Sequence, residues 1–479
     1  MSPLEQSVDG LRRERPEFSA FQTVTRNQAL ALIGLGVVAV VGLLINPTAV
    51  MIAVLAATTG LYLVSLVYRT ILLRIGLRHP HEVTVSDGAA RAIPDDELPI
   101  YTVLVPAYHE AELIARTIAA LEAIAYPPER LDVKLLLEAD DRETIDAARS
   151  IESALKLEIV LIPPGLPRTK PKACNYGLLQ ARGEFITIYD AEDRPEPLQL
   201  RRAVAAFRQL APLVACLQAK LSYHNVHQNL ITRWFTAEYE TWFSLSLPAL
   251  AQIGGPIPLG GTSMHISRRV LEAVGAWDPY NVTEDADLGI RLQRFGYRVA
   301  VLDSTTLEEA NSDAVNWVRQ RSRWYKGYLQ TWLVHMRHPI RLWGEVGWRA
   351  GLGINLLLGA VPFLAVLNPI FWMLTALWFI AKPHWLVAVL PAPIYYPALI
   401  SMLAGNFIAF YTSVIAIRVR NRPELLPAVL LSPLYWAMMA IAAIRALAQL
   451  AIAPSFWEKS VHGLDATPAV DLVSEHAAR

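Results

Sequence analysis

The chain has 479 residues, of which 53% are hydrophobic and 18% are charged, and its formal net charge is zero. Soluble domains carry about 25% charged residues, so this composition predicts long apolar segments beside an ordinary globular part. The neutral balance excludes a nucleic-acid partner held by general electrostatic attraction. The two cysteines, Cys174 and Cys216, lack paired spacing, which argues against a disulfide scaffold or a zinc site and is typical of a reducing compartment.

The chain begins with a polar segment, residues 1–27, which we predict to be cytoplasmic. Residues 28–75 consist of two apolar runs separated by Asn46-Pro47, and they predict a transmembrane hairpin. Arginines flank the hairpin on both outer sides and none lies in its turn, which places both flanks in the cytoplasm. The first apolar run is followed by a second apolar run and not by a cleavage site of small residues, which argues against a cleaved signal peptide.

Residues 78–330 have globular composition, and in them short β-rich runs alternate with helical periodicity. Strands are predicted at 100–105, 133–137, 158–162 and 185–189, and helices at 110–123, 145–155 and 172–181. This alternation predicts an α/β domain with a mostly parallel sheet. Ligands of such sheets bind at the carboxyl ends of the strands.

The rest of the chain is largely apolar. Residues 331–350 predict an interfacial amphipathic helix, and residues 351–417 predict two transmembrane helices. Two prolines and an arginine interrupt the last apolar region, so residues 424–462 predict interfacial or re-entrant helices. Residues 463–479 form a polar tail.

Polar groups follow the second predicted strand and open the third predicted helix. Glu138, Asp140 and Asp141 can accept hydrogen bonds from the N–H groups of a nucleotide base, and helix capping by Asp140 or Asp141 is an equally good interpretation. Lys170–Asn175 places two lysines at a helix start, where the free N–H groups and the dipole favour an anion such as a pyrophosphate. Solvated surface lysines are the alternative.

Three carboxylates follow the strand predicted at 185–189, namely Asp190, Glu192 and Asp193. Like charges so close together repel one another unless a cation lies between them. Carboxylate oxygens suit Mg²⁺ or Mn²⁺ bridging to phosphates. A solvated acidic turn is the alternative.

Thr283-Glu284-Asp285 precedes a helical pattern. One interpretation is a helix cap with acidic residues in the first turn. The other makes Asp285 a general base, because a sugar hydroxyl is a poor nucleophile without a positioned carboxylate.

The segment Gln320-Arg321-Ser322-Arg323-Trp324 lies just before the apolar C-terminal part. Its arginines can bind diphosphate oxygens in bidentate fashion, and Trp324 can stack on a sugar ring. An interfacial belt of Arg and Trp is the alternative.

In this order and spacing, the motifs resemble the processive family-2 glycosyltransferases, which include cellulose, hyaluronan, chitin-oligosaccharide and poly-N-acetylglucosamine synthases. The resemblance implies an α/β GT-A (Rossmann-like) domain inserted between transmembrane helices, a UDP-sugar donor and Mg²⁺ or Mn²⁺. It also implies that Thr283, Glu284 and Asp285 form the general-base motif, with Asp285 as the base.

The same resemblance implies a metal site at Asp190 and Glu192. The family carries Asp at the second position, so Asp193 is the alternative ligand. Lys172-Ala173-Cys174-Asn175 matches the family's Lys-Ala-Gly-Asn with Cys in place of Gly. The implied donor-binding residues are Glu138, Asp140, Asp141, Lys172, Asn175, Asp190, Gln320, Arg321 and Arg323.

Weaker matches concern the acceptor and the C-terminal region. The implied acceptor and channel residues are Gln218, Gly261, Thr262, Ser263 and Trp324. Phe456, Trp457 and Lys459 stand where cellulose synthases carry a gating loop, which fits a non-spanning segment before them.

The sequence thus predicts an inverting, processive enzyme of the inner membrane with a cytoplasmic catalytic domain, which extrudes a β-linked polysaccharide, a β-glucan by preference. Its partners would be the UDP-sugar, the growing polymer, the bilayer, and periplasmic or accessory secretion proteins, without nucleic acid. One alternative is a polymer made from UDP-N-acetylglucosamine, and a second is a non-processive glycolipid synthase. A transporter or scaffold with a relict site is the third.

Overall fold

The computed structural model of the chain describes residues 1–78, 82–454 and 456. Within them a mixed α/β domain with a central sheet is flanked in sequence by long apolar helices, which confirms the α/β part of the expected fold class. The strands are β1 (Glu82–Val83), β2 (Tyr101–Ala107), β3 (Leu131–Glu138), β4 (Leu157–Ile162), β5 (Phe185–Ile188), β6 (Arg194–Pro195), β7 (Val214–Tyr223), β8 (Met264–Ser267) and β9 (Arg298–Glu308). The helices are α1 (Pro3–Glu14), α2 (Arg26–Ile45), α3 (Pro47–Arg78), α4 (Asp87–Arg91), α5 (Ile114–Glu122), α6 (Arg142–Ser150), α7 (Lys170–Leu178), α8 (Gln199–Gln209), α9 (Leu230–Thr241), α10 (Leu247–Gln252), α11 (Arg268–Ala273), α12 (Glu284–Arg294), α13 (Ala314–His335), α14 (Pro339–Ile354), α15 (Val361–Ile380), α16 (His384–Val389), α17 (Ala392–Val419), α18 (Leu426–Leu430) and α19 (Ser432–Ile452).

The sheet has the strand order β1-β9-β7-β8-β5-β2-β3-β4, and β6 pairs with β9. Of the described strands, only β8 and β6 run antiparallel to their neighbours. The carboxyl ends of β2, β3, β5, β7 and β9 therefore lie at one edge of the sheet. The four predicted strands correspond to β2, β3, β4 and β5, whereas β7 and β9 have no counterpart in the prediction.

Helices cover both faces of this sheet, and β2 and β3 are buried on both sides, as is usual for parallel strands. One face packs on α5 and α8 through residues such as Ile118 and Leu200, and the other packs on α7 and α12 through Leu178 and Leu288. Because α7 and α12 precede parallel strands, both begin at the carboxyl edge. The starts of these two helices therefore lie beside the loops that follow β2, β3 and β5.

Residues 1–25, which we call the N-terminal strap, pack against the catalytic domain. Asp278 accepts hydrogen bonds from the hydroxyl of Ser19 at 3.2 Å and from the N–H of Ala20 at 2.5 Å. Arg337 donates to the carbonyl oxygens of Pro16, Glu17 and Ser19, each at 2.9 Å. The strap therefore has specific contacts with residues far along the chain.

Among the described residues, five apolar helical segments have the length and composition of membrane spans. They are Arg26–Ile45, Pro47–Arg78, Pro339–Ile380, Ala392–Val419 and Ser432–Ile452. The first two form the predicted hairpin, which turns at Asn46. In the first of them no residue is buried, so this helix presents its side chains to the surroundings.

The helix expected at 331–350 is not formed as one element. Helix α13 continues to His335, and α14 begins at Pro339, where proline is favoured in the first helical turn. Gly347 then breaks α14 with a φ of 76°, a conformation that glycine adopts without strain. Residues 331–350 are thus divided between the end of α13 and the first part of α14, which is interrupted at Gly347.

Where interfacial or re-entrant helices are expected, α19 is one continuous helix with the length and composition of a span. Its first turn and the chain just beyond its end contact α13: Tyr435 lies 3.3 Å from a guanidinium nitrogen of Arg321, and Lys326 donates to the carbonyl oxygen of Phe456. Its buried face is made of small residues such as Ala443, whereas Ile441 is exposed. Trp457 and Lys459 of the expected gating segment, and the predicted tail 463–479, lie outside the described residues.

Candidate active site

Charged side chains meet at the carboxyl edge of the sheet, around Lys170. This lysine is the first residue of α7, and its ammonium pairs with Asp190, which follows β5, and donates to the carbonyl oxygen of Gly261 at 3.0 Å. Sequence reasoning noted two lysines here but assigned the donor role to Lys172. The structure places Lys170 against the predicted metal-binding carboxylate.

Lys172 lies beneath this cluster. Its side chain is fully buried, and its ammonium lies 2.7 Å from a carboxylate oxygen of Glu138. Asn175 donates to the carbonyl oxygens of Ser7 at 3.0 Å and Trp277 at 2.8 Å, so its amide links α7 to the N-terminal strap. These contacts give Lys172, Glu138 and Asn175 partners within the protein, and their donor contacts stay predictions.

The three carboxylates after β5 have different environments. Asp193 is buried, and its Oδ2 accepts the N–H of Asp190 at 2.8 Å and the hydroxyl of Thr262. Burial, and then the charges of Asp190 and Glu192, raises the pKa of Asp193 well above its usual range. Asp193 therefore closes the loop, and Asp190 and Glu192 are better placed to hold an ion.

The carboxylates after β5 are of the type that suits a hard divalent cation, although no group of three or more His, Cys, Asp or Glu side chains in the described residues is arranged as a metal site. The carboxylate of Asp190 already binds one cationic group, the ammonium of Lys170. Oδ1 of Asp193 is buried without a hydrogen-bond partner, which keeps Asp193 as the alternative to Glu192 for the second ligand. Carboxylate oxygens are the ligands that Mg²⁺ and Mn²⁺ prefer.

The Thr283-Glu284-Asp285 motif lies at the start of α12, facing the same cluster. Thr283 occupies the N-cap position, but its side chain makes no capping bond. Burial raises the pKa of Glu284 to about 8 and that of Asp285 to about 6, while Lys170 and Arg323 counteract both shifts. The raised pKa values make both carboxyl groups better proton acceptors than exposed carboxylates are.

A short loop before β8 closes the site on the opposite side. Gly261 has a φ of 81°, and a Cβ at this position would lie 2.9 Å from Oδ2 of Asp285. The buried amide of Gln218 donates to the carbonyl oxygen of Thr262 at 3.0 Å and accepts the N–H of Gly260 at 2.9 Å. The hydroxyl of Ser263 donates to Thr306 at 2.7 Å. Gln218, Thr262 and Ser263 thus hold the loop that brings Gly261 against the base.

The two aspartates expected near the nucleoside, Asp140 and Asp141, have different contacts. Asp141 caps α6, since its Oδ1 accepts the N–H of Thr144 at 3.3 Å, and its Oδ2 accepts the N–H of His109 at 2.6 Å. Asp140 is partly exposed and pairs with Arg168 at 2.6 Å. The capping interpretation therefore holds for Asp141, whereas the carboxylate of Asp140 is accessible to solvent.

The two arginines of the α13 motif have different partners. Arg323 acts on the pKa of Glu284 and Asp285, whereas Arg321 is held in an ion pair by Glu238. This position of Arg321 differs from the expected contact with a diphosphate. Gln320 has a buried side-chain oxygen without a hydrogen-bond partner.

Trp324 also lies on the Arg321 side of the helix. Its ring centre is 5.7 Å from that of Phe235 and 6.5 Å from that of Tyr239. Phe410 of α17 and Val366 of α15 pack against the same cluster. The expected acceptor platform thus adjoins the membrane-type helices.

Sequence reasoning missed Glu308, the last residue of β9. Burial, and then the negative charges of Asp193, Asp190 and Glu192, raises the pKa of Glu308 well above its usual range. Since β9 was absent from the predicted strands, there was no reason to place Glu308 at the carboxyl end of a strand. Recognising 298–308 as a strand would have placed Glu308 at the functional edge.

Comparison with known proteins defines the class. Residues 99–327 match the family described as "Glycosyltransferase like family 2". This segment, just under half of the chain, is similar to family-2 glycosyltransferases, which agrees with the expected enzyme class. The resemblance to processive cellulose or chitin synthases in particular is not shown by this match.

Two curated relatives and one solved structure are similar to the chain. A beta-monoglucosyldiacylglycerol synthase from Synechocystis is 30% identical over 261 residues, which are 52% of this chain and 51% of that protein. A probable glucomannan 4-beta-mannosyltransferase from Arabidopsis thaliana is 26% identical over 260 residues, 52% of this chain and 47% of that protein. The chain therefore spans about half the length of these relatives.

The similar structure is the mannosyltransferase PcManGT from Pyrobaculum calidifontis, in complex with GDP-Man and Mn²⁺. It has a TM-score of 0.51 and 20% sequence identity, and the match covers 84% of this chain and 99% of that one. At this identity the likeness concerns the fold, and it identifies the α/β domain as GT-A-like.

Proposed function

We propose that the protein is a membrane-bound, inverting glycosyltransferase that moves one hexosyl unit from a nucleotide sugar, a UDP-sugar in the first instance, to a hydroxyl acceptor at the cytoplasmic face. The position of Asp285 carries this proposal. Its carboxylate lies at the start of α12 near Lys170 and Arg323, and its pKa is raised to about 6. A carboxylate of this kind is charged at neutral pH and basic enough to accept a proton in the transition state.

In the proposed reaction, Asp285 accepts the proton of the acceptor hydroxyl as its oxygen bonds to the anomeric carbon. The bond from that carbon to the nucleoside diphosphate breaks on the opposite side, which inverts the configuration. Lys170 and Arg323 lie where their positive charges can stabilise the leaving diphosphate. A Mg²⁺ or Mn²⁺ ion held by Asp190 and Glu192 would neutralise diphosphate charge when bound.

A lipid acceptor is the first candidate. The relative from Synechocystis is named for the synthesis of a glycolipid, and Trp324 adjoins membrane-type helices. Two of the apolar helices, α3 and α15, are joined by a hydrogen bond of 2.7 Å, which the hydroxyl of Tyr62 donates to the side-chain oxygen of Asn368. A cavity between α15 and α17, lined by residues such as Trp378 and Met402, has about 20 Å³, the room of about one water.

Processive synthesis of a β-linked polysaccharide is the second candidate. The motif of Gln320, Arg323 and Trp324 favours it, and the Arabidopsis relative is named for a glucomannan activity. A β-glucan from UDP-glucose or a polymer from UDP-N-acetylglucosamine would then leave through the membrane helices, with accessory secretion proteins as partners.

We place the catalytic domain on the cytoplasmic face of the inner membrane. Arginines flank the hairpin of α2 and α3 on its outer sides. The first turn of α19 and Phe456, just beyond its end, both contact α13, which supports an interfacial position for α19 alongside α13. The remaining four apolar segments then return the chain to its starting side.

The test supplies labelled UDP-glucose, UDP-N-acetylglucosamine and GDP-mannose to purified protein with Mn²⁺ and diacylglycerol vesicles. Thin-layer chromatography that shows one short glycolipid supports the first candidate, whereas long product cut by linkage-specific hydrolases replaces it with the second. Asp285→Asn should abolish transfer and keep UDP binding, and Asp146→Asn, the same change at an exposed carboxylate of α6, should keep both. Absence of nucleotide release with every donor and acceptor would leave a transporter or scaffold instead.

A further inference from the structure

An ion pair buried between three helices lies on the side of α13 that carries Trp324. The guanidinium of Arg321 donates to both carboxylate oxygens of Glu238 on α9, at 2.8 and 2.5 Å. The hydroxyl of Tyr435 on α19 donates to the same carboxylate at 2.6 Å. The side chain of Arg321 is 8% exposed and that of Glu238 is 28% exposed, so α13, α9 and α19 are joined by a charged pair that is buried on the arginine side.

Aromatic rings surround this guanidinium. Its central carbon lies 4.6 Å from the ring centre of Trp324, 5.2 Å from that of Trp317 and 5.4 Å from that of Phe235. Cations at such distances are attracted to ring faces. The position of the Trp324 ring therefore depends on where Glu238 holds Arg321.

The pair occupies both terminal nitrogens of Arg321, and one of them also donates to Tyr435. The remaining Nε is buried without a hydrogen-bond partner, so no pair of accessible N–H groups is left for bidentate binding of a diphosphate. Arg323, two residues further along the helix, points to a different face, because successive helical residues are rotated by about 100°. Arg323 is the arginine that acts on Glu284 and Asp285.

We infer that Arg321 and Glu238 are positioning residues for the acceptor: they fix Trp324 against α9 and, through Tyr435, make the acceptor side of the site depend on α19. This inference rests on the proposed function and deepens it. The donor side depends on Lys170 and Arg323, and the acceptor side on the pair and its aromatic rings. A lipid-facing helix thereby contributes to acceptor binding without touching the nucleotide.

The experiment measures acceptor KM, donor KM and UDP affinity by calorimetry in the presence of Mn²⁺. Arg321→Lys keeps the charge and loses the fork, Glu238→Gln keeps the shape and loses the charge, and Tyr435→Phe removes one hydroxyl. We expect the first two to raise acceptor KM about tenfold, which corresponds to about 1.4 kcal/mol, and Tyr435→Phe to raise it less. Donor KM and UDP affinity should differ from the wild-type values by less than about twofold, which corresponds to about 0.4 kcal/mol.

Matched controls come from the same helix. Arg319→Lys changes an exposed arginine and should leave all three quantities unchanged, whereas Arg323→Lys should raise donor KM. The double variant of Arg321→Lys with Glu238→Gln should cost no more than either single change, because paired residues are not additive.

Two results would overturn the inference. If Arg321→Lys weakens UDP binding as Arg323→Lys does, Arg321 is a diphosphate ligand. If all folded variants keep the wild-type acceptor KM, the pair has no positioning role, and the near-isosteric Tyr435→Phe decides this even if the charge variants unfold. Absence of transfer by the wild type would refute the proposed function itself, and the inference with it.

Discussion

Gly327 of α13 sets the distance between two catalytic motifs. A Cβ at this position would lie 2.4 Å from Cγ2 and 2.5 Å from Oγ1 of Thr283, whereas ordinary contact begins at 3.4 Å. In Gly327→Ala the helix must therefore move by about 1 Å from the start of α12, and a displacement of about 1 Å near reacting groups can cost about 10²-fold in rate. Overpacking costs about 1–3 kcal/mol, of which about 1 kcal/mol is offset because alanine favours a helix more than glycine does.

The assay is single-turnover transfer from labelled donor at saturating acceptor. We expect kcat to fall about 10²-fold while UDP affinity is kept, because the donor carboxylates lie on other elements. Adding Thr283→Ser removes the clashing methyl group and should recover part of the rate. Gly344→Ala, on α14 with nothing within 4 Å of the new Cβ, is the control. A folded Gly327→Ala protein with wild-type kcat would refute the reasoning.

Three other predictions concern the carboxylates. Because burial raises the pKa of Asp285 to about 6, the base is lost as the pH falls through 6, and kcat/KM should then drop about tenfold per pH unit; a flat pH–rate profile across this range contradicts the assignment. Glu138→Gln leaves the buried ammonium of Lys172 without its carboxylate partner and should cost about 3–5 kcal/mol of stability. The measurement is the unfolding midpoint in denaturant, which should fall. An unchanged midpoint would show that the pair is not stabilising. Glu192→Gln should raise the Mn²⁺ concentration for half-maximal activity about tenfold, which corresponds to a loss of about 1.4 kcal/mol of ion binding. Asp193→Asn should lower stability and leave that Mn²⁺ concentration nearly unchanged. The reverse pattern would make Asp193 the ligand.

The sequence was sufficient for much of the fold because buried parallel strands produce strong local signals. The runs that form β2, β3 and β5 are rich in apolar residues and buried on both faces, and turn residues follow them. Strand β9 was missed because it mixes apolar residues with Ser, Thr and charged residues. Its pairing with β7 depends on residues that are distant in sequence, and Glu308 was missed with it.

Motif spacing identified the residue types of the site but not the direction of each side chain. Lys170 and Lys172 lie in one helical turn, and only the packing of α7 shows that one faces Asp190 and the other Glu138. Likewise, the partner of Arg321 lies 83 residues earlier in the chain. Such long-range pairings depend on helix rotation within the assembled core, which local periodicity does not determine.

The N-terminal strap has a consequence for how the chain is made. Asp278 is synthesised 259 residues after Ser19, and Arg337 is synthesised 321 residues after Pro16. At about 5–20 residues per second, the strap emerges tens of seconds before its binding partners exist. These contacts can therefore form only after synthesis has passed α13, so docking of the strap onto the α/β domain is a late event in the making of the chain.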